Sequence, residues 1–399
     1  MVDKCPVHGH DMLLNAEYYR NPYALYDKLH EEGTVHRICL ADEVPVWLVT
    51  RFADVHAGLR DQRLARAKEY AGPDFTTKRF PEGGPTGALP TSDPPEHTRL
   101  KQWVTHAFSP RKVRKYEPWV HGLVDEQLDR FAERGGGDLV DDYGAVIPIT
   151  VISEILGIPH KFRVKLKTWA DLMFGSDEET NLETLKELQS AMTEILKSKK
   201  EDPGDDLISE WMHTDFEEGK ALTPWQMVSM ATFTLLAGFD TTMSMISRGA
   251  LALMEEPEVL AKLRANPDLY PRALEELLRM FGSVHHGFRR FAVEDVEIAG
   301  TRIAKGDTVL LHLAAAGRDP SRHEQPNVLD LDRPNQAHLA FGGGPHYCSG
   351  AELGRMETVI ALEKLFTRFP DIALAVPRDE LRFRHSPLVP ALLSLPVTV

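Results

Sequence analysis

Apolar positions recur at helical intervals along much of the chain, and the longest such stretch runs from Thr223 to about Glu255. Met227, Val228, Met230, Phe233, Leu235, Leu236, Met243, Met245, Ile246 and Leu251 surround that segment on most sides, the pattern of a buried helix. Thr223 is placed to cap it, Pro224 suits its first turn, and Pro257 marks its stop. A second helix opens at Pro271, with Leu274, Leu277, Leu278 and Phe281 spaced i, i+3, i+4, i+7. A third extends from Ala351 to Phe369 on Leu353, Met356, Val359, Ile360 and Leu365. Arg134 to Asp138, with three successive glycines, and Lys197 to Asp206 read as loops. No repeat or low-complexity linker divides the 399 residues. The expected organisation is therefore one domain over 1–399, with a flexible N-terminal segment over 1–20.

Polar residues that break these patterns are the next signal. Asp240 and Thr241 fall in the middle of the longest helix, where an ionisable group is costly unless paired. Gly238 adds a helix-weakening residue, worth about 1 kcal/mol against alanine. One reading has the Thr241 hydroxyl bonding a preceding carbonyl and Asp240 meeting a partner in the core. The other has the three residues distorting the helix and opening a groove for a small ligand. In the second helix, Glu276 and Arg279 lie together opposite the apolar face. Spacing alone makes them an exposed ion pair worth a few tenths of a kcal/mol, on the order of 0.3.

The third helix is preceded by Phe341-Gly342-Gly343-Gly344-Pro345-His346-Tyr347-Cys348-Ser349-Gly350. This places one thiol between a glycine-rich loop and a helix N-terminus, whose free N–H groups and dipole favour thiolate. Glycines let the backbone close around the sulfur and a flat ligand approach. A lone thiolate so presented suits the axial position of a haem iron, where sulfur donation favours O–O cleavage. A catalytic nucleophile in a haem-free enzyme is the competing reading, which the colour of the purified protein decides.

The decapeptide resembles the haem-binding pattern of the cytochromes P450, Phe-Gly-x-Gly-x-(His or Arg)-x-Cys-x-Gly, at every fixed position. Ala237-Gly238-Phe239-Asp240-Thr241-Thr242 and Glu276-Leu277-Leu278-Arg279 resemble two further motifs of the family, in the expected order. Asp93-Pro94-Pro95-Glu96-His97 and His338-Leu339-Ala340-Phe341 are similar to soluble bacterial members associated with specialised metabolism. The resemblance covers about Pro22 to the C-terminus. It implies a mainly α fold with small β-sheets, the cytochrome P450 fold, holding haem (heme b, iron protoporphyrin IX) between the long central helix and the cysteine loop-helix.

By the same resemblance, Cys348 ligates the iron, Thr241 steadies bound dioxygen and Asp240 gates proton delivery. Gly238 and Phe341 border the cofactor. His97, Arg290 and His346 match propionate-binding positions, and Lys101 stands four residues after His97 where arginine is usual. Glu276 and Arg279 become a buried anchor beneath the cysteine loop. An arginine often found before that loop is missing from Asn327-Val328-Leu329-Asp330, leaving the anchor without its third member. Phe233, Leu236 and Ala237 face the substrate; spacing alone would make Phe233 and Leu236 plain core. The His285-His286 pair either occupies a solvent-exposed turn or faces the substrate, His286 foremost. The long segment from Arg66 to Thr91 and the residues around 165–190 flank the substrate. The implied reaction is monooxygenation of a small-molecule or short-peptide organic substrate in secondary metabolism, with electrons from ferredoxin and ferredoxin reductase. Oxidative aromatic coupling by the same haem, and a non-catalytic haem-binding sensor or recruitment module, are the alternatives.

Bulk properties restrict the remaining choices. The net charge of −14 argues against nucleic acid as a partner. Against it stand Arg99, Lys101, Arg111, Lys112, Arg114 and Lys115, either a solvated helix end or a landing site for an acidic electron carrier. Three cysteines are too few for a disulfide framework or a four-cysteine zinc site. Cys5, His8 and His10 lack an evident fourth ligand for a metal clip. No stretch approaches ~18 uninterrupted apolar residues and no signal-peptide pattern is present, so the expected location is cytoplasmic, off the membrane.

Overall fold

The long helix forms as its sequence dictates, over Pro224–Glu255. Thr223 Oγ1 accepts from the Gln226 N–H at 3.2 Å while Gln226 Oε1 accepts from the Thr223 N–H at 3.0 Å, a reciprocal capping box. The computed structural model describes residues 13, 16–40, 44–73, 75, 88–173, 178–214, 221–334, 336–386 and 388–399. Cys5, His8 and His10, most of the 1–20 segment, and the Pro81 to Gly87 part of the Arg66–Thr91 segment lie outside the described residues.

Eight helices shape the site: α1 (Glu96–Ala107), α2 (Pro110–Glu133), α3 (Val146–Leu156), α4 (Leu166–Met173), α5 (Glu178–Glu201), α6 (Pro224–Glu255), α7 (Tyr270–Phe281) and α8 (Ala351–Arg368). They enclose one large apolar core, with α6 packed against α3, α7 and α8. Gly238 allows α3 to approach closely, because a Cβ there would meet Ile152 side-chain atoms at 2.9 Å. The glycine serves helix packing. α6 stays α-helical through Asp240 and Thr241, so the expected distortion is not found.

A five-stranded sheet lies beside the helices: β1 (Val35–Cys39), β2 (Pro45–Val49), β3 (Leu64–Ala65), β4 (Arg290–Ala292) and β5 (Thr308–Leu311). Its order is β1-β2-β5-β4-β3, with β2 and β5 parallel and the other neighbours antiparallel. In the β3–β4 pair Leu64 faces Ala292 and Ala65 faces Phe291. This mainly α architecture with small sheets agrees with the sequence.

Two predicted loops are wrong. α5 continues to Glu201, absorbing the first half of the 197–206 segment. Gly136–Asp138 is a short strand paired with Pro396–Thr398. A Cβ at Gly136 would lie 2.4 Å from the Val397 carbonyl oxygen, so glycine is what admits the C-terminal strand. No helix among the described residues is long and apolar enough to cross a membrane.

Candidate haem-thiolate site

The cysteine loop is closed by its own backbone. Gly342 N–H donates to Leu339 O at 2.7 Å, and Cys348 N–H returns to Phe341 O at 3.0 Å. Gly344 takes φ +63, and a Cβ there would sit 2.5 Å from the Leu59 carbonyl oxygen, so this turn needs glycine twice over. α8 begins three residues after Cys348. The sulfur is solvent-accessible at one side and crowded by protein on the others. That crowding raises the thiol, outweighing the Gly350 N–H and the Lys101 and Arg355 charges, which lower it. A metal ion bound to the sulfur would displace the proton.

Behind the loop, Arg355 lies 4.5 Å over the Phe341 ring and donates to Glu275 at 2.7 and 3.1 Å. His338 adds a third contact to Glu275 at 3.0 Å. Burial raises the Glu275 carboxyl, but these hydrogen bonds prevail and hold it at about 2. Phe341 is thus fixed against a charged clamp that the sequence motifs did not disclose.

Cations gather around the same loop. The His97 and His346 rings lie against each other, centroids 3.8 Å apart and planes tilted by 47°. Arg290 is buried, and its Nη1 donates to Leu64 O at 2.8 Å. Burial, then Lys101 and Arg66, push His97 down to about 4. Burial lowers His346 too, helped by Arg66, His97, Arg290 and Lys101. Lys101 does not extend into this group in the expected way: its Nζ donates to Pro345 O at 2.5 Å and Tyr347 O at 2.8 Å. Arg66, which sequence reasoning missed, is there instead, its charge strongly disfavoured by burial and by Arg290.

These residues fit a flat dianion beside the thiol. Nε of Arg66 and Nδ1 of His97 are buried without a hydrogen-bond partner. Asp93 is the acid of this group, and both its oxygens accept backbone N–H groups of Arg66 and Ala67 at 2.8 to 3.0 Å. Arg66 and Arg290, with the open His97 Nδ1, lie together while Asp93 is turned to backbone N–H groups, a donor set that suits the carboxylates of such a ligand.

Along α6, every residue from Val228 to Leu253 is buried except Phe233, Leu236, Ala237, Gly238 and Thr241. Phe233, Leu236, Ala237 and Thr241 follow i, i+3, i+4, i+8 and form one accessible stripe on an otherwise buried helix. Phe288 packs near Phe233, ring centroids 6.3 Å apart, and joins the stripe from the segment before β4. Thr241 Oγ1 donates to Ala237 O at 2.7 Å, the ordinary back-bond, and keeps its lone pairs available. The Thr241 carbonyl accepts from Ser283 Oγ at 2.7 Å.

Asp240 is 0% exposed and pairs at both oxygens with Arg384, at 2.8 and 2.6 Å. Burial pushes the Asp240 carboxyl up, against the pull of that guanidinium. Arg384 also reaches Asp171 at 3.4 Å; Lys167 bonds Asp171 at 2.8 Å and Asp141 at 3.0 Å. Alternating charge thus leads from Asp240 to Asp141, whose side chain is 53% exposed. Arg384 could not be found from sequence, being 144 residues from Asp240.

The anchor is buried, which overturns the exposed-pair reading. Glu276 and Arg279 are 0% and 1% exposed, joined at 2.8 Å twice. Its third member is Arg333, whose Nε donates to Glu276 Oε1 at 2.8 Å, three residues beyond the window that lacked arginine. His285 is also corrected. It is buried away from the stripe, contacted by Tyr18 and Tyr26 hydroxyls at 2.8 and 3.0 Å and by Arg248 at 3.2 Å. His286 is half-buried, its Nδ1 2.9 Å from Gly287 O. Of the basic run, Arg99 pairs with Glu96 and Lys112 with Glu210, while Arg111, Arg114 and Lys115 remain exposed at the start of α2.

A mainly helical fold with a single thiol framed by cations defines a haem-thiolate protein. Residues 148–372 match the family profile described as Cytochrome P450. The chain is 37% identical over 387 residues to the cytochrome P450 monooxygenase PikC of Streptomyces venezuelae, covering 96% of this chain and 92% of the relative. It is 35% identical over 391 residues to the vitamin D(3) 25-hydroxylase of Pseudonocardia autotrophica, covering 98% and 96%. The solved structure of PksS, the cytochrome P450 of the Bacillus subtilis bacillaene polyketide synthase, superposes with a TM-score of 0.89 at 32% identity, covering 98% and 99%. The chain belongs to the cytochrome P450 family. It is an oxidoreductase, a haem-thiolate monooxygenase that takes electrons from a redox partner and acts on an organic substrate.

Proposed function

We propose that the protein is a single-domain, cytoplasmic monooxygenase that binds haem b and oxidises a small organic molecule of a bacterial secondary pathway. The observation that carries it is the gathering of Arg66, Arg290, His97 and His346 at the Cys348 loop. When bound, the haem supplies dioxygen activation and the oxidising chemistry. Cys348 Sγ would ligate its iron, and His97, His346 and Arg290 would hold its carboxylates. The stripe of Phe233, Leu236 and Ala237, with Phe288, excludes water and presents an apolar wall to the substrate; His286 stands two residues before Phe288 on the same segment. Thr241 Oγ1, its hydrogen given to Ala237 O, would accept a hydrogen bond on that face and so help hold a proton there. Asp240 passes protons toward Thr241 when Arg384 turns from it to Asp171, so the ion pair is the gate. Glu276, Arg279 and Arg333 keep the cysteine loop in register.

The electron donor is a ferredoxin with its reductase, docked by acidic groups on Arg111, Arg114 and Lys115 at the start of α2. The relative PksS, named for polyketide biosynthesis, supports a polyketide-like substrate. The test is to supply the purified protein with ferredoxin, reductase and nicotinamide cofactor and screen such molecules for spin-state shifts and substrate-dependent oxygen uptake. Product carrying one atom of labelled dioxygen is the expected result. Dimerised product without label would instead mean oxidative coupling, and no reduction at all would mean a binding protein.

A further inference from the structure

Arg66 immediately follows β3, and continuing the register in which Ala65 faces Phe291 brings it opposite Arg290. Residues opposite one another in an antiparallel pair project to the same face, and like charges so placed are destabilising. Two guanidiniums there need an anion between them. Asp93 is not that anion, because its oxygens are turned to the backbone N–H groups of Arg66 and Ala67. The Arg66 side chain gives Nη1 to Pro90 O at 3.0 Å, keeps a buried Nε without a partner, and lies 5.6 Å over the Phe288 ring. A crowded guanidinium with an open donor edge is costly until a carboxylate fills that edge.

Lys101 is the residue that motif position would nominate for this task, yet two of its three N–H bonds are engaged by Pro345 O and Tyr347 O. It ties α1 to the cysteine loop.

We propose that in this chain Arg66, paired across the strands with Arg290, is the guanidinium that binds a haem carboxylate, while Lys101 clamps the cysteine loop. This rests on the haem-thiolate reading and deepens it. The sheet delivers both arginines, so cofactor retention depends on β3–β4 pairing as well as on α1.

The test compares wild-type holoprotein with Arg66→Gln and Arg66→Lys. Haem loss is followed by transfer to excess apomyoglobin, and propionate hydrogen bonding by the propionate-bending bands in resonance Raman spectra. Loss of one charged hydrogen bond predicts roughly tenfold faster haem transfer for Arg66→Gln, with an unchanged thiolate signature in the reduced carbon monoxide complex. Arg66→Lys keeps the charge and loses the fork; it should transfer haem at an intermediate rate and shift a propionate band. If Arg66→Gln does not fold, the lysine variant decides: an unshifted band and a wild-type transfer rate overturn the proposal. Wild-type haem loss in Arg66→Gln, together with weakened binding of a carboxylate-bearing substrate, also overturns it and assigns the fork to substrate. Wild-type protein lacking haem would instead defeat the underlying reading.

Discussion

Replacing Glu276 by glutamine tests whether Glu276, Arg279 and Arg333 form a buried ionic anchor. The carboxylate accepts Arg279 Nε and Nη2 and Arg333 Nε at 2.8 Å each, and the Asp330 N–H at 3.2 Å. Glutamine keeps the shape and one acceptor but turns an amide donor toward guanidinium donors. Breaking a buried pair from one side costs about 3–5 kcal/mol, because uncompensated charge stays behind. An unfolding entropy of about 2.1 cal/mol/K per residue over 399 residues gives about 0.8 kcal/mol per kelvin. The melting temperature should therefore fall by about 4–6 °C, read by far-ultraviolet circular dichroism on haem-loaded protein. Arg333→Met should fall comparably and add little in the double variant, since both remove one network. An exposed pair, worth on the order of 0.3 kcal/mol, would move the midpoint by less than about 1 °C. A shift that small in Glu276→Gln would refute the anchor.

Thr241→Ala should retain haem and the thiolate spectrum while diverting reducing equivalents from product to hydrogen peroxide. Coupling equal to wild type, measured as product per nicotinamide consumed, would remove Thr241 from proton handling. The Glu275 clamp predicts acid sensitivity. Its carboxyl is held at about 2 against an ordinary 4.5, so the stability it contributes is present above about pH 4.5 and is lost as pH falls toward 2. Glu275→Gln should accordingly show a flatter decline of melting temperature below about pH 4.5. Equal slopes would count against the clamp.

What the sequence made legible was whatever local pattern determines. The N-cap at Thr223, the periodicity of α6, α7 and α8, and the cysteine decapeptide each act over a few residues, and all appear in place. What it concealed depends on which element covers which. A three-residue spacing puts Glu276 beside Arg279 but cannot say that the segment carrying Arg333 lies over them. Three successive glycines look like a loop until Pro396–Thr398 comes alongside. His285 looked as free as His286 because Tyr18, Tyr26 and Arg248 are distant in sequence. Arg66 and Arg384 belong to no motif; only sheet register and chain return bring them to Arg290 and Asp240.

The claim beneath all of this is a bond between Cys348 sulfur and haem iron. Its most direct test is the absorption spectrum of the purified protein, reduced with dithionite under carbon monoxide. A Soret maximum at the long wavelength that gives the family its name is the predicted result, and it should vanish in Cys348→Ser. A maximum at the shorter wavelength of a nitrogen-ligated haem, or the long-wavelength band persisting in the serine variant, would contradict it.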